Sequence, residues 1–287
     1  MSIAYVIRTY HRPRQLARLV GRLQSERARF YIHVSAGTSE KTYDAMREGL
    51  AGFDNVVWTR RMATFYGGYS LLEAQLVALE AAAAEEPVPD HTLSLSGQDY
   101  PLMPAAQIEA HYAARRGKST FLHYALPSDD WASENGGLDR IRYFWFERVR
   151  YRSRLLRLPL VRRRFPAGLT PYGGAAWCAL SADALRYVIR FTRENPRVLR
   201  FFRYVMYPEE IYIPTVLMNS PHAGDVINET VHYVDWSSGG AHPKLLGRED
   251  VPRLLESGKP FGRKFDMKVD AEVLDVLDRE ATRAEVR

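Results

Sequence analysis

The chain has 287 residues, 46% of them hydrophobic and 26% charged, a globular balance that excludes disorder, collagen and coiled coil. Forty Lys and Arg against 34 Asp and Glu give a formal net charge of +6. Only six of those cations are Lys; the rest are Arg, whose planar fork binds phosphates and carboxylates bidentately, so an anionic partner is the first expectation.

In chain order, the pattern predicts a short apolar strand over Ile3–Ile7, then a helix over Arg14–Leu23 with Leu16, Leu19, Val20 and Leu23 on one stripe. A strand at Phe30–Val34, a helix from Ser39 to Leu50 and a strand at Val56–Trp58 follow. Ser70–Ala84 reads as a helix with Ser70 as N-cap and Glu73 three residues on, a capping box. Thr92–Leu95 is a fourth strand, Pro104–Arg116 a helix with proline in its first turn, and Thr120–His123 another strand. The alternation predicts an α/β fold with a mostly parallel central sheet flanked by helices. From Ser128 to Gly174 the rhythm stops, and residues 140–164 read as insertion-like helix and loop. It resumes with a strand at Ala176–Leu180, helices over Ser181–Phe191 and Glu209–Met218, a strand at Val231–Val234, and helices near Arg248–Glu256 and Ala271–Arg279. One domain over 1–287 is expected, with a nucleotide-binding α/β half at 1–125 and the remainder at 126–287.

The single cysteine, Cys178, excludes intrachain disulfides and Cys-x-x-Cys sites. The apolar opening lacks the basic region and long apolar core of a signal peptide, and no window approaches 18 consecutive apolar residues. A cytoplasmic protein is expected. The P-loop, the dinucleotide fingerprint, the His-Glu-x-x-His helix and the nucleophile elbow are all missing. No two aspartates lie two residues apart, so the Asp-x-Asp pair that holds a divalent metal on a nucleotide-sugar diphosphate is absent.

Four segments carry chemistry. Phe65–Ser70 places Gly67 and Gly68 before a helix, either an ordinary turn or a place where backbone amides approach an anion. Leu93–Pro101, with Asp99, ends a strand in small and polar residues, at the edge where open α/β sheets bind ligands. Tyr207–Glu210 puts two acids at a helix start, either dipole complement or site. Phe261–Asp266 sets Arg263 and Lys264 between aromatics, either a solvated basic turn or a site.

Taken with Ile32-His33-Val34, Trp177 through Ser181, Val234-Asp235-Trp236 and His242-Pro243-Lys244, their order resembles the core-2/I-branching β-1,6-N-acetylglucosaminyltransferase family, which protein xylosyltransferases share. The resemblance spans nearly the whole chain. It implies a GT-A-like fold and inverting transfer of a sugar from a UDP-sugar, without a cofactor or divalent metal. The base of the family's Pro-Asp-Glu motif falls on Glu210, with Glu209 where the family has Asp. The family's diphosphate grip falls on Lys264, with Arg263 beside it. Ser35, Arg61, Tyr66, Gly67 and Asp99 complete the implied donor side. Arg140, Arg142, Trp177, Asp235 and Trp236 form the acceptor side; Asp235 reads equally as a turn cap and the tryptophans as core. Three positions depart from the family: Ser35 replaces an aspartate, Tyr66 a tryptophan, and His232 an arginine.

N-acetylglucosamine is the expected sugar, xylose the alternative, and a glycan or glycolipid hydroxyl the acceptor. The alternative from another class is a catalytically silent glycan- or nucleotide-binding protein on the same fold. A nucleic-acid partner rests on charge alone and is not expected. Residues 140–164 hold ten arginines and one acid, Glu147, so this segment alone is +9 and the remainder −3. Its aromatics, Tyr143 to Phe146 and Tyr151, and its leucines suit peripheral contact with an anionic inner-membrane surface or a phosphorylated acceptor, with a solvated, ion-paired segment as the alternative.

Overall fold

The computed structural model describes residues 1–131, 134–147, 155–239 and 242–286. Strand β1 (Ile3–Thr9) leads into helix α1 (Pro13–Arg22), β2 (Ala28–Val34) into α2 (Glu40–Gly49), and β3 (Val56–Trp58) into α3 (Tyr69–Ala83). Next come β4 (His91–Ser96), β5 (Asp99–Pro101) and α4 (Ala105–Ala113), then β6 (Ser119–Thr120) and β7 (His123–Ala125). Helix α5 (Leu138–Arg142) precedes β8 (Tyr143–Phe146), β9 (Leu156–Arg162), β10 (Tyr172–Gly174) and β11 (Ala179–Ser181). The remainder holds α6 (Ala182–Glu194), α7 (Pro196–Phe202), α8 (Tyr212–Met218), β12 (Val226–Ile227), β13 (His232–Val234), α9 (Val251–Glu256), β14 (Phe261–Arg263) and α10 (Glu272–Val286).

The central sheet runs β12-β6-β11-β4-β1-β2-β3, with β1 parallel to β2 and β4, β2 parallel to β3, and β11 antiparallel to both neighbours. Both faces of β1 are covered. Ile3, Tyr5 and Ile7 enter one apolar cluster with α1, while Ala4 and Val6 enter another with α3 and α6. Burial on both faces is why the strand reads as an unbroken apolar run. The expected α/β architecture is therefore present, but residue 125 is no seam. Strands β11 and β12 join the same sheet, and β14 pairs antiparallel with β5 in a second sheet, β13-β14-β5.

Three local expectations are corrected. Among the described residues of 140–164, helix and loop give way beyond α5 to β8 and β9, which pair antiparallel as a hairpin, because aromatics opposite leucines suit cross-strand packing. The strand expected over Thr120–His123 divides into β6 and β7, which join different sheets. Ser70 does not cap α3, and the capping box with Glu73 is absent. The helix starts at Tyr69 with Gly68 as its N-cap, and the Ser70 hydroxyl instead accepts the Phe65 amide at 2.9 Å.

Candidate active site

Asp99 is the centre of a deep charged cluster. The turn at Gly97 after β4 is tight, since a Cβ there would sit 2.4 Å from the Thr9 hydroxyl, and it delivers Asp99 beneath the strand end. The carboxylate is fully buried. It accepts the Ser96 amide and hydroxyl, each at 2.7 Å, and His232 Nε2 at 3.1 Å. Arg263 Nη1 lies 3.3 Å away, placed by the register that sets Arg263 opposite Asp99. Burial alone would raise this carboxyl. The charge of Arg263 and the bonds from His232 and Ser96 overcome it and hold the group down at about 2.

Trp177 covers this cluster, with the Arg263 guanidinium 4.2 Å and that of Arg8 5.1 Å from its ring centre, both cation–π contacts. Arg8 donates to the Leu71 carbonyl at 3.1 Å. It was not legible as a functional residue; its only signal is a cation near the end of the otherwise apolar β1. Gln15 is a second such residue. Fully buried, it donates to the carbonyls of Gly97 and Phe265 and accepts the Met267 amide, tying the β4 turn to the loop that carries Lys264. Lys264 is half-buried, and burial together with neighbouring Arg263 lowers its ammonium. Among the described residues, no hydrogen-bond or ion-pair partner engages that ammonium.

The rim is built by the Pro208–Glu210 turn, which Tyr207 enters with φ 50°. Tyr207 donates its amide to the Gly67 carbonyl at 2.7 Å, joining the turn to the start of α3. Glu210 accepts from Arg140 Nη1 at 2.6 Å, and its side chain is 32% exposed. The Arg140 guanidinium is held over the rings of Trp131 (4.3 Å) and Tyr207 (4.8 Å). Burial raises the Glu210 carboxyl, and Arg140 and Arg263 only partly offset it. Glu209 points inward. It is buried, and among the described residues its Oε2 has no hydrogen-bond partner. Burial and the neighbouring Glu210 push Glu209 up to about 7 against the pull of Arg8.

Asp99, Arg263, Trp177, Arg140 and Glu210 thus come together, with Tyr66 and Gly67 along the rim. Tyr66 is 53% exposed and packs edge-on against Tyr207, with ring centres 5.3 Å apart, and near His242 at 5.4 Å. The remaining expected residues have other commitments. Ser35 is buried and accepts the Thr64 amide at 3.2 Å. Arg61 bonds Glu40 at 2.9 Å and the Thr38 carbonyl at 2.9 Å while lying over Tyr43, so it braces its own loop. Arg142 is exposed outside the cluster. Asp235 caps a turn by accepting the Ser237 amide at 2.7 Å, and Trp236 is 57% exposed. The amides at the Gly67–Gly68 turn do meet an anion, and it is the chain's own: the Ser70 amide donates to Glu147 Oε1 at 2.7 Å. A Cβ on Gly68 would stand 2.3 Å from that oxygen. Of the Arg-rich segment, Arg148, Arg150, Tyr151, Arg152 and Arg154 lie outside the described residues.

The family model described as "Branch: Core-2/I-Branching enzyme" matches residues 3–254. The chain belongs to that family. Xylosyltransferase 2 of Rattus norvegicus is 31% identical over 303 residues, and xylosyltransferase 1 of the same species 28% over 303. Each alignment covers 97% of this chain but only 33% and 35% of the relative, so the chain spans about a third of the length of these proteins. The crystal structure of mouse xyloside xylosyltransferase 1 in its apo form shares 8% identity over 91% of this chain and 97% of that one, with a TM-score of 0.38. That likeness is too low to inform function.

Proposed function

We propose that this chain is an inverting glycosyltransferase that moves a sugar from a UDP-sugar to a hydroxyl of a glycan or glycolipid, with Glu210 as general base. The observation that carries this reading is the Arg140–Glu210 pair. It is a carboxylate with one wall of protein, one face open to solvent, a raised pKa and a single partner that fixes its direction. Inversion at an anomeric carbon is one in-line displacement, so one carboxylate must take the proton of the attacking hydroxyl.

The leaving UDP carries the other charge of the reaction. Lys264 is a half-buried cation with no partner among the described residues, and Arg263 stands beside it, anchored by Asp99. In this proposal the two stabilise the diphosphate as the glycosidic bond breaks, and no divalent metal takes part. Tyr66, exposed above Tyr207, provides an apolar ring face for a sugar, and Arg140, through Glu210, orients the acceptor side.

The donor follows less directly. The resemblance to core-2 enzymes favours N-acetylglucosamine, and the identity to xylosyltransferases favours xylose. The test is UDP release and product formation with UDP-N-acetylglucosamine and UDP-xylose over a panel of acceptors, with and without EDTA. Transfer from either donor that EDTA leaves unchanged is the expected result. EDTA-sensitive turnover overturns the metal-free mechanism. UDP-sugar binding without transfer to any acceptor, at a rate that Glu210→Gln leaves unaltered, supports a silent binding protein instead. A cytoplasmic setting, where nucleotide sugars are made, belongs to the same proposal.

A further inference from the structure

Eleven large hydrophobic side chains are exposed among the described residues, and five lie on one hairpin: Phe146 on β8 and Leu156, Leu158, Leu160 and Val161 on β9. Leu156 and Leu158 alternate along the strand and share a face, and Leu160, 92% exposed, follows where the ladder's register shifts. Phe144 and Phe146 stand opposite Leu158 and Leu156 and extend it. Arginines frame this apolar strip. Arg163 turns inward, donating to the Tyr204 carbonyl at 2.9 Å and lying 3.7 Å from the Phe201 ring centre. Arg142, Arg162 and Arg164 are exposed, and among the described residues none of them has an ion-pair partner.

A soluble surface rarely keeps adjacent leucines in water, and such a patch rimmed by charge marks an interaction site. A second copy of the chain is disfavoured as the occupant. The hairpin has two strands only, and β9 carries Pro159, which lacks an amide donor, between like-charged arginines; both features oppose strand addition. The pattern of apolar side chains beside unpaired arginines is complementary to an anionic bilayer, whose interface offers apolar depth beneath phosphates.

We infer that the β8–β9 hairpin docks the protein on an anionic phospholipid surface, with the leucine face entering the interface and Arg142, Arg162 and Arg164 meeting headgroup phosphates. The hairpin is rooted in the rim of the site: the Trp145 amide donates to the Tyr204 carbonyl and the Met206 amide to the Arg140 carbonyl, while Glu147 seats on α3. Docking therefore holds the rim close to the membrane plane. The inference stands on the hairpin alone and does not depend on the reaction proposed above.

The test is co-sedimentation of the full chain with vesicles of phosphatidylglycerol mixed equally with phosphatidylcholine, and with phosphatidylcholine alone, at low and physiological salt. Binding to the mixed vesicles only, weakened by salt, is expected. Leu158→Ser and Leu160→Ser should each lower the partition coefficient roughly tenfold, with unfolding midpoints unchanged because both side chains are exposed. Arg162→Ala combined with Arg164→Ala should remove much of the salt dependence. No binding at low salt, or equal binding to neutral vesicles, overturns the inference. So does a solution dimer that Leu160→Ser converts to monomer, which would assign the face to a second copy.

Discussion

The site holds two ion pairs of opposite construction. Asp99 is sealed beneath the sheet, with donors from β4, β13 and β14, and its carboxyl is held near 2. Glu210 sits on a short turn with one arginine, partly in solvent, and its carboxyl is raised. A carboxylate with every oxygen engaged cannot exchange protons near neutrality, whereas one with a raised pKa and an open face can. The deep pair therefore fixes geometry and the rim pair has the freedom to react. The most damaging way to break this contrast is Asp99→Asn. It keeps the shape but leaves Arg263 buried without a counter-charge, which costs about 3–5 kcal/mol and on the order of 10 °C in Tm. Since the folded pKa lies below the ordinary value, the contribution of Asp99 is complete above the usual carboxylate range and is lost as pH falls through about 2; the variant's deficit in Tm should shrink with it.

The complementary break is at the rim. Glu210→Gln should lower transfer by roughly 10²–10⁴-fold while leaving Tm close to wild type, the inverse of Asp99→Asn. Steady-state rates and a thermal scan on the same samples decide it, and a variant that keeps turnover removes Glu210 as the base. Lys264→Ala sharpens the division of labour between the two pairs. Loss of a charge-assisted contact to the leaving diphosphate should weaken UDP binding by roughly 10–100-fold, read by calorimetry, without a fall in stability, because among the described residues nothing bonds its ammonium.

The same two regions show what a sequence can reveal. The deep scaffold was legible where burial imposes a period: the apolar run of β1, the stripe on α1, and the small residues ending β4. The segments around Asp99, Glu210 and Arg263–Lys264 stood out by their order along the chain and its resemblance to a family, and the fold sets Asp99 against Arg263 and Glu210 against Arg140. What escaped depends on contacts between distant segments. Arg8 and Gln15 become part of the site only when β1 and α1 meet Trp177, Gly97 and Phe265. Strands β5 and β14 are three residues each, too short to carry a period, yet they set Arg263 against Asp99. The hairpin escaped because Tyr143–Phe146 is four aromatics in a row, with no polar residue to mark the alternation that packs Phe144 and Phe146 on Tyr204. The glycine segment admitted two readings, an ordinary turn or an anion site, and only the fold shows that an acid from the hairpin, 77 residues on, meets the Ser70 amide there.

Glu209 belongs to neither class, and its behaviour is the finest test of the contrast. Like Asp99 it is buried, but the pull of Arg8 and Arg140 does not offset its burial, and its neighbour Glu210 carries like charge; the carboxyl rises to about 7 instead of falling. A raised folded pKa means that the native state holds its proton more tightly than the unfolded chain does. Ionising Glu209 therefore destabilises the fold progressively as pH climbs from the ordinary range near 4.5 to about 7, and the full penalty is present above that. Glu209→Gln removes the penalty while keeping the shape. At pH 8 the variant should melt above wild type, by on the order of 5 °C, and the two curves should converge as pH falls toward 4.5. The opposite slope, with Glu209→Gln melting lower at high pH, would place Glu209 with Asp99 as a structural anion paired to Arg8. Turnover settles its role in the reaction: Glu209 still holds its proton while Glu210 ionises, so Glu209→Gln should leave the acidic limb of the rate profile in place and the plateau within a few-fold.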